Sequence, residues 1–240
     1  ASILWDGLNQ HNQLIAQKNI SIFSELEGYP RLEDDDFQYL LASWISLFLV
    51  RQSKHKPAVR AVGEKSPNNI RYFDVFQTLF PLTKFIHIVR DGRDCAVSGW
   101  FHNLRVTPDP TMKGYTSMDT YVLSFADSWM RDLAAVQTFA DRNRGHIRQI
   151  RYEDLVANTE RSLAGIFDFL SVEVAEALIA RCQSEASFAT LSGGRAAGKE
   201  DRTSFFRKGV VGDWQNHLSE DLDAAFRKRA GGWLERFGYA

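Results

Sequence analysis

The amino-acid sequence predicts a three-layer α/β fold, with a central parallel sheet of about four to five strands between layers of helices. Two observations indicate this class. Helical patterns alternate along the chain with short runs rich in apolar residues, the order typical of parallel strands joined by helices. The chain also has 240 residues, of which 44% are hydrophobic, enough to enclose one large core. We therefore expect a single domain over residues 1–240.

The strands are predicted from short runs in which Ile, Val, Phe or Ala recur. The most apolar of these runs is KFIHIV, which has the composition of a strand buried on both faces. The predicted strands are 19–23, 58–63, 84–89 and 147–152.

The helices are predicted from apolar residues at helical spacing and from their first turns. The segment 35–52 begins with acidic residues, which suit the positive end of a helix dipole. A loop rich in Pro, Gly and Thr covers 106–117 and is either a substrate lid or a plain surface loop. Shorter helices are expected up to residue 180, and the longer predicted helices are 2–10, 35–52, 69–80, 93–101, 118–142 and 219–237.

Overall charge and cysteine usage limit the possible partners. Lys and Arg number 29 against 30 Asp and Glu, so no nucleic acid or anionic membrane partner is predicted. The longest apolar stretch, 39–50, is too short to span a bilayer. Cys95 and Cys182 stand far apart, which argues against a disulfide scaffold and predicts a reducing, cytoplasmic location. No two histidines have metal-ligand spacing on a helix, and no metal is expected.

Arg90 directly follows the predicted strand 84–89 and precedes a helix. The carboxyl end of such a strand faces the crevice where open α/β sheets bind ligands, and a guanidinium binds phosphate oxygens in pairs. Ser98 lies seven residues after Asp91, on the same face of the helix. Arg90 and Ser98 are therefore a candidate phosphate clamp. The alternative is that Arg90 pairs with Asp91 or Asp94 and that Ser98 is an ordinary helix residue.

A second basic stretch, SFFRKGVVGDWQNH, has Arg207 and Lys208 directly before Gly209. Two cations and a glycine backbone suit close approach to an anion. Phe205 and Phe206 could stack on a flat heteroaromatic ring. Taken alone, the stretch could also be a solvated turn.

Together these motifs resemble those of sulfotransferases that use 3'-phosphoadenosine-5'-phosphosulfate (PAPS). VRDGRDCAVS is similar to the family's 3'-phosphate-binding segment, and FFRKGVVGDWQNH is similar to its C-terminal phosphate loop. GEKSPNN, RYEDL and ASFATL also resemble family segments in the expected order. The resemblance extends from about residue 1 to residue 238 and implies the P-loop NTPase-like sulfotransferase fold.

The resemblance also implies roles for single residues. Tyr152 and Phe188 would hold the adenine, although a core position for either residue stays an alternative. Gln215 stands where the family's C-terminal loop usually has a lysine, which would weaken that contact. The residues implied to bind the 3'-phosphate are Arg90, Ser98, Arg207, Lys208 and Gly209.

Two further candidates concern the transfer itself. The resemblance implies that Lys65 approaches the sulfuryl group, where an ammonium would stabilise charge on the leaving phosphate. A surface pair with Glu64 is the alternative for Lys65. Glu25 is the candidate catalytic base, and a solvated loop carboxylate is its alternative.

The N-terminal residues resemble the end of the family's 5'-phosphosulfate loop and the helix that continues it. Ser2 stands where the last small residue of that loop belongs and is a candidate cofactor contact. We expect the central strand and the rest of the loop to precede residue 1, and this preceding segment could also carry a targeting signal.

The predicted function is transfer of a sulfuryl group from PAPS to a hydroxyl or amine, which leaves 3'-phosphoadenosine-5'-phosphate (PAP). The acceptor could be a small molecule, lipid, sugar or peptide. One alternative is a P-loop-type small-molecule kinase, which would need a complete phosphate loop and Mg²⁺. The other is a non-catalytic relative that keeps the nucleotide site.

Overall fold

The computed structural model describes residues 2–21, 32–56 and 58–239. The chain divides into two compact units, Ala1–Thr83 and Lys84–Ala240. A single domain over 1–240 stays a prediction. None of the described helices is long and apolar enough to span a lipid bilayer.

The first unit is helical where it is described. Asn12 exchanges two hydrogen bonds with the backbone of Leu32, at 2.7 and 2.9 Å, which ties the first helix to the start of the second. The second helix begins where the backbone N–H of Glu33 donates to Asp36 at 2.8 Å, an N-terminal cap. The helices are α1 (Ser2–Ser21), α2 (Asp34–Ser53) and α3 (Phe73–Leu79), and a 3₁₀ turn (Pro67–Tyr72) precedes α3.

The predicted strand 19–23 is wrong for residues 19–21, the part of it that the structure describes. Helix α1 continues to Ser21 instead of ending near residue 10, and residues 22–31 lie outside the described ranges. The intervening QLIAQK is composed of good helix formers, so the helix propagates through it.

The predicted strand 58–63 is also wrong. Residues 59–66 have no regular secondary structure, and Val59 and Val62 are exposed. A strand requires hydrogen bonds to a neighbour, and no described segment of the first unit pairs with this one.

The second unit contains a parallel two-stranded sheet of β1 (Phe85–Val89) and β2 (Ile147–Arg151). The register pairs Phe85 with Ile147 and Val89 with Arg151. The predicted α/β class is confirmed, but the described residues contain two strands instead of the four to five predicted.

The described part of the second unit also contains seven α-helices. The predicted helix 118–142 has those bounds in the structure, and the predicted helix 93–101 extends five residues further, to Val106. The helices are α4 (Gly92–Val106), α5 (Met118–Arg142), α6 (Tyr152–Ala157), α7 (Thr159–Phe169), α8 (Glu176–Glu185), α9 (Phe188–Leu191) and α10 (Glu220–Arg236).

The core of the second unit lies between α4, α5 and α10. Gly92 lets the start of α4 approach α5, because a β-carbon there would lie 2.8 Å from the ring of Trp129. This contact fixes the first turn of α4 at the end of β1. The buried core residues include Val89, Val97, Val122, Leu133, Phe226 and Leu234.

A buried arginine fastens the same turn to the end of the chain. The guanidinium of Arg93 donates to Asp91 at 2.7 and 3.0 Å, to Asp223 at 3.0 Å and to the carbonyl oxygen of Tyr239. It also lies 3.8 Å from the ring centre of Trp214. Because the charge is fully paired, its burial is tolerated.

Candidate functional site

Arg90 lies at the carboxyl end of β1, directly before the helix cap. Asp91 caps α4 by accepting a hydrogen bond from the backbone N–H of Arg93 at 2.9 Å. The chain therefore turns sharply after Arg90 and begins a helix, which places the arginine at the edge of the sheet.

Three neighbours hold the Arg90 side chain. One terminal nitrogen donates to Asp94 and to the carbonyl oxygen of Val210, each at 3.1 Å. The guanidinium also lies 4.6 Å from the ring centre of Tyr152. Its Nε is buried and has no hydrogen-bond partner in the described part of the chain. The ion pair with Asp94 is thus present, and one donor of Arg90 remains unsatisfied.

Asp94 joins the two predicted phosphate motifs. Its side chain is 1% exposed, and it accepts hydrogen bonds from the backbone N–H groups of Gly212 at 2.8 Å and Trp214 at 3.0 Å. A buried carboxylate needs such donors. Asp94 therefore fixes the loop after Gly209 against the first turn of α4.

Asp213 binds both cations of the second motif, Arg207 and Lys208. Arg207 and Lys208 both donate to its carboxylate, and Asn216 and His217 lie within 3.0 and 3.1 Å. Burial acts to raise the pKa of Asp213, but hydrogen bonds from Lys208, Arg207 and Asn216 outweigh it and hold the pKa well below its ordinary value. Asp213 therefore stays charged and fixes both cations.

A cavity of about 370 Å³ lies between α4 and the segment 202–207. Ring faces of Phe101 and Phe205 form part of its wall, and Arg207 lies 4.5 Å from the ring centre of Phe101. None of the described residues that line it is acidic, although Asp94, Glu200 and Asp213 pair with its arginines from behind the lining. The cavity therefore presents guanidinium and hydroxyl donors, which suit an anion. Its polar lining residues include Arg90, Ser98, Arg105, Arg202, Ser204 and Arg207.

Three of the predicted phosphate contacts come together at this cavity: Arg90, Ser98 and Arg207. They come from two segments that are far apart in the chain. Lys208 is not a lining residue, because its ammonium is directed to Asp213. Tyr152 supports Arg90 from outside the cavity.

Gly209 lies against Phe188. The glycine has a φ of +67°, and a β-carbon there would overlap the Phe188 ring. Only glycine therefore fits both the backbone conformation and the available space. The predicted adenine contact and the predicted phosphate loop are direct neighbours.

The remaining candidates lie in the first unit. Lys65 is exposed in the irregular segment 59–66. Among the described residues Glu64 accepts a hydrogen bond from Asn69, and no pair between Glu64 and Lys65 is seen. Ser2 begins α1, but its side chain lies outside what the structure describes, as does the whole of Glu25.

Sequence reasoning missed several residues of this site. Arg105 lies seven residues after Ser98 on α4, so the spacing that places Ser98 on the cavity face also predicts Arg105 there. Arg202 and Arg195 lie in a glycine-rich charged segment whose composition hides their partners. The sequence named Asp94 only as an alternative partner of Arg90 and gave no sign of its hydrogen bonds to distant main-chain N–H groups. Asp213 gave no separate signal.

Cys95 also lies on the cavity wall. Burial raises the pKa of its thiol to about 12, although the charge of Arg90 opposes the shift. Cys95 is therefore protonated near neutral pH and is a poor nucleophile.

Comparison with known proteins identifies relatives of this chain. The family model described as "Sulfotransferase domain" matches residues 2–238. Sulfotransferase 1C2 of Homo sapiens is 26% identical over 168 residues, which cover 62% of this chain and 55% of that protein. The chain thus spans little more than half the length of this relative.

Solved structures show the same fold. Mouse sulfotransferase SULT7A1, complexed with PAP, has a TM-score of 0.54 and 23% identity over 69% of this chain and 66% of its own. A retinol dehydratase in complex with androsterone and PAP has a TM-score of 0.50 and 18% identity, and the match covers 86% of this chain and 66% of that one.

Proposed function

We propose, on the premise that the chain belongs to the sulfotransferase domain family, that the protein transfers a sulfuryl group from PAPS to a hydroxyl or amine acceptor. The observation that carries the proposal is the cavity where Arg90, Ser98 and Arg207 meet. Two motifs that are distant in sequence supply cations and a hydroxyl to one pocket, which is what a phosphate monoester requires.

The lining residues fit the 3'-phosphate end of such a nucleotide. The Nε of Arg90 is buried without a partner among the described residues, and a phosphate oxygen could satisfy it. Arg105 adds positive charge at the same cavity, and Arg202, which pairs with Glu200 at 3.3 Å, adds a further guanidinium. Its volume of about 370 Å³ lies at the lower end of the range of small-ligand sites.

Phe188 is the proposed stacking partner of the adenine, and Tyr152 is its proposed polar contact. Gly209 next to Phe188 would bring the base and the 3'-phosphate to adjacent positions. The main chain of this loop can approach the nucleotide closely because glycine has no side chain. Lys208, held by Asp213, is proposed to add charge behind the loop.

In the proposed reaction, PAPS supplies the sulfuryl group, whose sulfur bonds to the acceptor oxygen or nitrogen as its bond to the 5'-phosphate oxygen breaks. Lys65 is proposed to stabilise the negative charge on that leaving oxygen. Glu25 is proposed to remove the acceptor proton, and Ser2 to contact the 5' end of the nucleotide. These three roles rest on the family resemblance.

A small-molecule acceptor is the proposed class. The retinol dehydratase to which the chain is similar was solved with androsterone, a small molecule.

Calorimetric titration with PAP and with adenosine-5'-phosphate tests the nucleotide site. We expect Arg90→Ala to weaken PAP binding by about 1.5–3 kcal/mol, as for a charged hydrogen bond, and to leave binding of the other nucleotide unchanged. Arg181→Ala is a matched control, because Arg181 is an exposed arginine paired with Glu185 on α8. Equal binding of the two nucleotides by the unmodified protein, or no binding, would contradict the proposal.

Transfer is tested with radiolabelled PAPS and a panel of alcohols, phenols and amines. We expect a labelled product whose formation slows in Lys65→Ala. Tight PAP binding without transfer to any acceptor would favour a non-catalytic relative. Turnover of ATP that depends on magnesium would favour a kinase.

A further inference from the structure

The guanidinium of Arg195 is surrounded by main-chain carbonyl oxygens. One terminal nitrogen donates to the carbonyl of Lys199 at 2.7 Å and to that of Arg207 at 2.6 Å. The other donates to the carbonyl of Phe206. A guanidinium that donates to three main-chain carbonyls holds the backbone of the loop in place, instead of forming an ion pair with an acidic side chain.

These hydrogen bonds join two stretches of the chain. The backbone N–H of Gly198 donates to the carbonyl of Lys208 at 2.8 Å, and that of Asp201 donates to the carbonyl of Arg207 at 2.9 Å. The segment 195–201 therefore runs beside the segment 206–208 and donates hydrogen bonds to the carbonyl groups of that segment. Arg195 is the side chain that closes this arrangement.

Fixing the carbonyls also orients the amide groups. The peptide bonds here are trans, so each carbonyl points opposite to the N–H of the next residue. The carbonyls of Phe206 and Arg207 are turned toward Arg195, and the N–H groups of Arg207 and Lys208 are therefore turned away from it. Within the described chain, these two N–H groups have no hydrogen-bond acceptor, which leaves them available to an anion.

Arg195 also touches the predicted adenine contact. Its guanidinium lies 5.2 Å from the ring centre of Phe188, the same ring that packs against Gly209. One side chain therefore contacts both the loop at the cavity and the neighbouring aromatic ring.

We propose that Arg195 is a positioning residue that presents the main-chain N–H groups of Arg207 and Lys208 to the 3'-phosphate and holds Phe188 beside them. This inference rests on the proposed function. Binding to a preorganised loop avoids the entropic cost of ordering it. A lysine is not an equivalent replacement, because its single ammonium cannot reproduce the planar fork of donors that binds the three carbonyls.

Calorimetric titration of PAP and adenosine-5'-phosphate against Arg195→Ala and Arg195→Lys tests the inference. We expect Arg195→Ala to weaken PAP binding about tenfold or more, which corresponds to about 1.4 kcal/mol. The loss for adenosine-5'-phosphate should be within about threefold, since that ligand lacks the 3'-phosphate. Arg195→Lys should recover only part of the loss, and Arg181→Ala should match the unmodified protein.

A transfer assay separates positioning from general damage. We expect the KM for PAPS to rise in Arg195→Lys while kcat at saturating PAPS is kept, since Arg195 acts on binding of the nucleotide. Melting temperatures identify variants that do not fold. If Arg195→Ala does not fold, the lysine variant decides the question, and its PAP affinity should fall more than about threefold.

The outcomes distinguish the two proposals. If the unmodified protein does not prefer PAP, the proposed function and this inference both fail. If it prefers PAP and the folded Arg195 variants bind PAP within about twofold of it, a difference below about 0.5 kcal/mol, only this inference is overturned. Equal losses for the two nucleotides would also overturn it, because the 3'-phosphate would then not depend on Arg195.

Discussion

The guanidinium of Arg90 lies over the ring of Tyr152, 4.6 Å from its centre. Such a contact is attractive because the face of an aromatic ring carries partial negative charge. It also orients Arg90 without using a donor, so the buried Nε stays unpaired in the described structure.

Tyr152→Phe and Tyr152→Ala therefore separate two roles of this residue. We expect the phenylalanine to lose the proposed hydroxyl contact with the adenine, about 0.5–1.5 kcal/mol, and the alanine to lose about 0.5–2 kcal/mol more, the usual range of a cation–π contact. Calorimetric titration with PAP is the measurement. A phenylalanine variant that binds PAP as tightly as the unmodified protein would contradict the polar role of the hydroxyl, and one as weak as the alanine variant would show that the ring contact with Arg90 is unimportant.

Gly209→Ala should damage both stability and nucleotide binding. The substitution places a β-carbon on the Phe188 ring at a residue with a φ of +67°. We expect it to destabilise the fold by about 2–3 kcal/mol, more than backbone strain alone.

Gly193→Ala is the matched control, because its φ is +73° and a β-carbon there meets nothing within 4 Å. It should cost only the backbone strain of about 1 kcal/mol and keep PAP binding. Urea unfolding and calorimetry give the two values. Equal effects of the two alanines would show that the ring contact is unimportant.

Asp213→Asn should loosen the two cations beside the cavity. The side chain is 3% exposed and its carboxylate accepts hydrogen bonds from Arg207 and Lys208. Removing the negative charge from this cluster should cost about 3 kcal/mol of unfolding free energy and weaken PAP binding.

The effect of Asp213→Asn has a defined pH dependence. The folded pKa of Asp213 is lowered, so its stabilising contribution is complete above the unfolded pKa and is lost as pH falls through the folded value. Urea unfolding of both proteins between pH 7 and pH 2 is the measurement, since the unfolded pKa is about 3.9. The difference in stability between them should shrink below about pH 4. A difference independent of pH would contradict this assignment.

His87 should make the fold sensitive to mild acid. It is a buried residue of β1 beside Gln149, and burial lowers its pKa to about 4. Between pH 6.5 and about pH 4 the imidazole is protonated in the unfolded chain but largely neutral in the folded protein. The free energy of unfolding therefore falls as the pH falls.

The loss at His87 should approach about 3 kcal/mol near pH 4. We expect His87→Gln to remove this part of the pH dependence, because an amide does not titrate. The measurement is the free energy of unfolding in urea from pH 7.5 to 4.5. Parallel curves for the two proteins would show that His87 is not the titrating group.

Local pattern was sufficient to predict part of the site. Arg90 could be placed at the end of β1 because a buried strand and the following helix are both visible in the sequence, and Ser98 followed from helical spacing. Their meeting with Arg207 in one cavity depended on the family resemblance. The strand predicted at 58–63 is wrong, because strand formation depends on a neighbour that local composition does not specify.

The residues that hold the site together were harder to predict. Asp94 binds main-chain N–H groups that follow it by more than 100 positions, and Arg195 binds main-chain carbonyls. Main-chain groups occur at every residue and leave no mark in the sequence. The structural roles of Asp94 and Arg195 therefore become visible only in the folded chain.

The hydrogen bonds of Asp94 have a kinetic consequence. Since one carboxylate holds Arg90 and also the backbone of Gly212 and Trp214, the loop that follows the cavity wall 202–207 cannot move away from α4 without exposing a buried charge. Separation of this loop from α4 should therefore be rare in the free protein. In stopped-flow mixing with PAP, the observed rate should rise linearly with ligand concentration, with no plateau from a slow rearrangement.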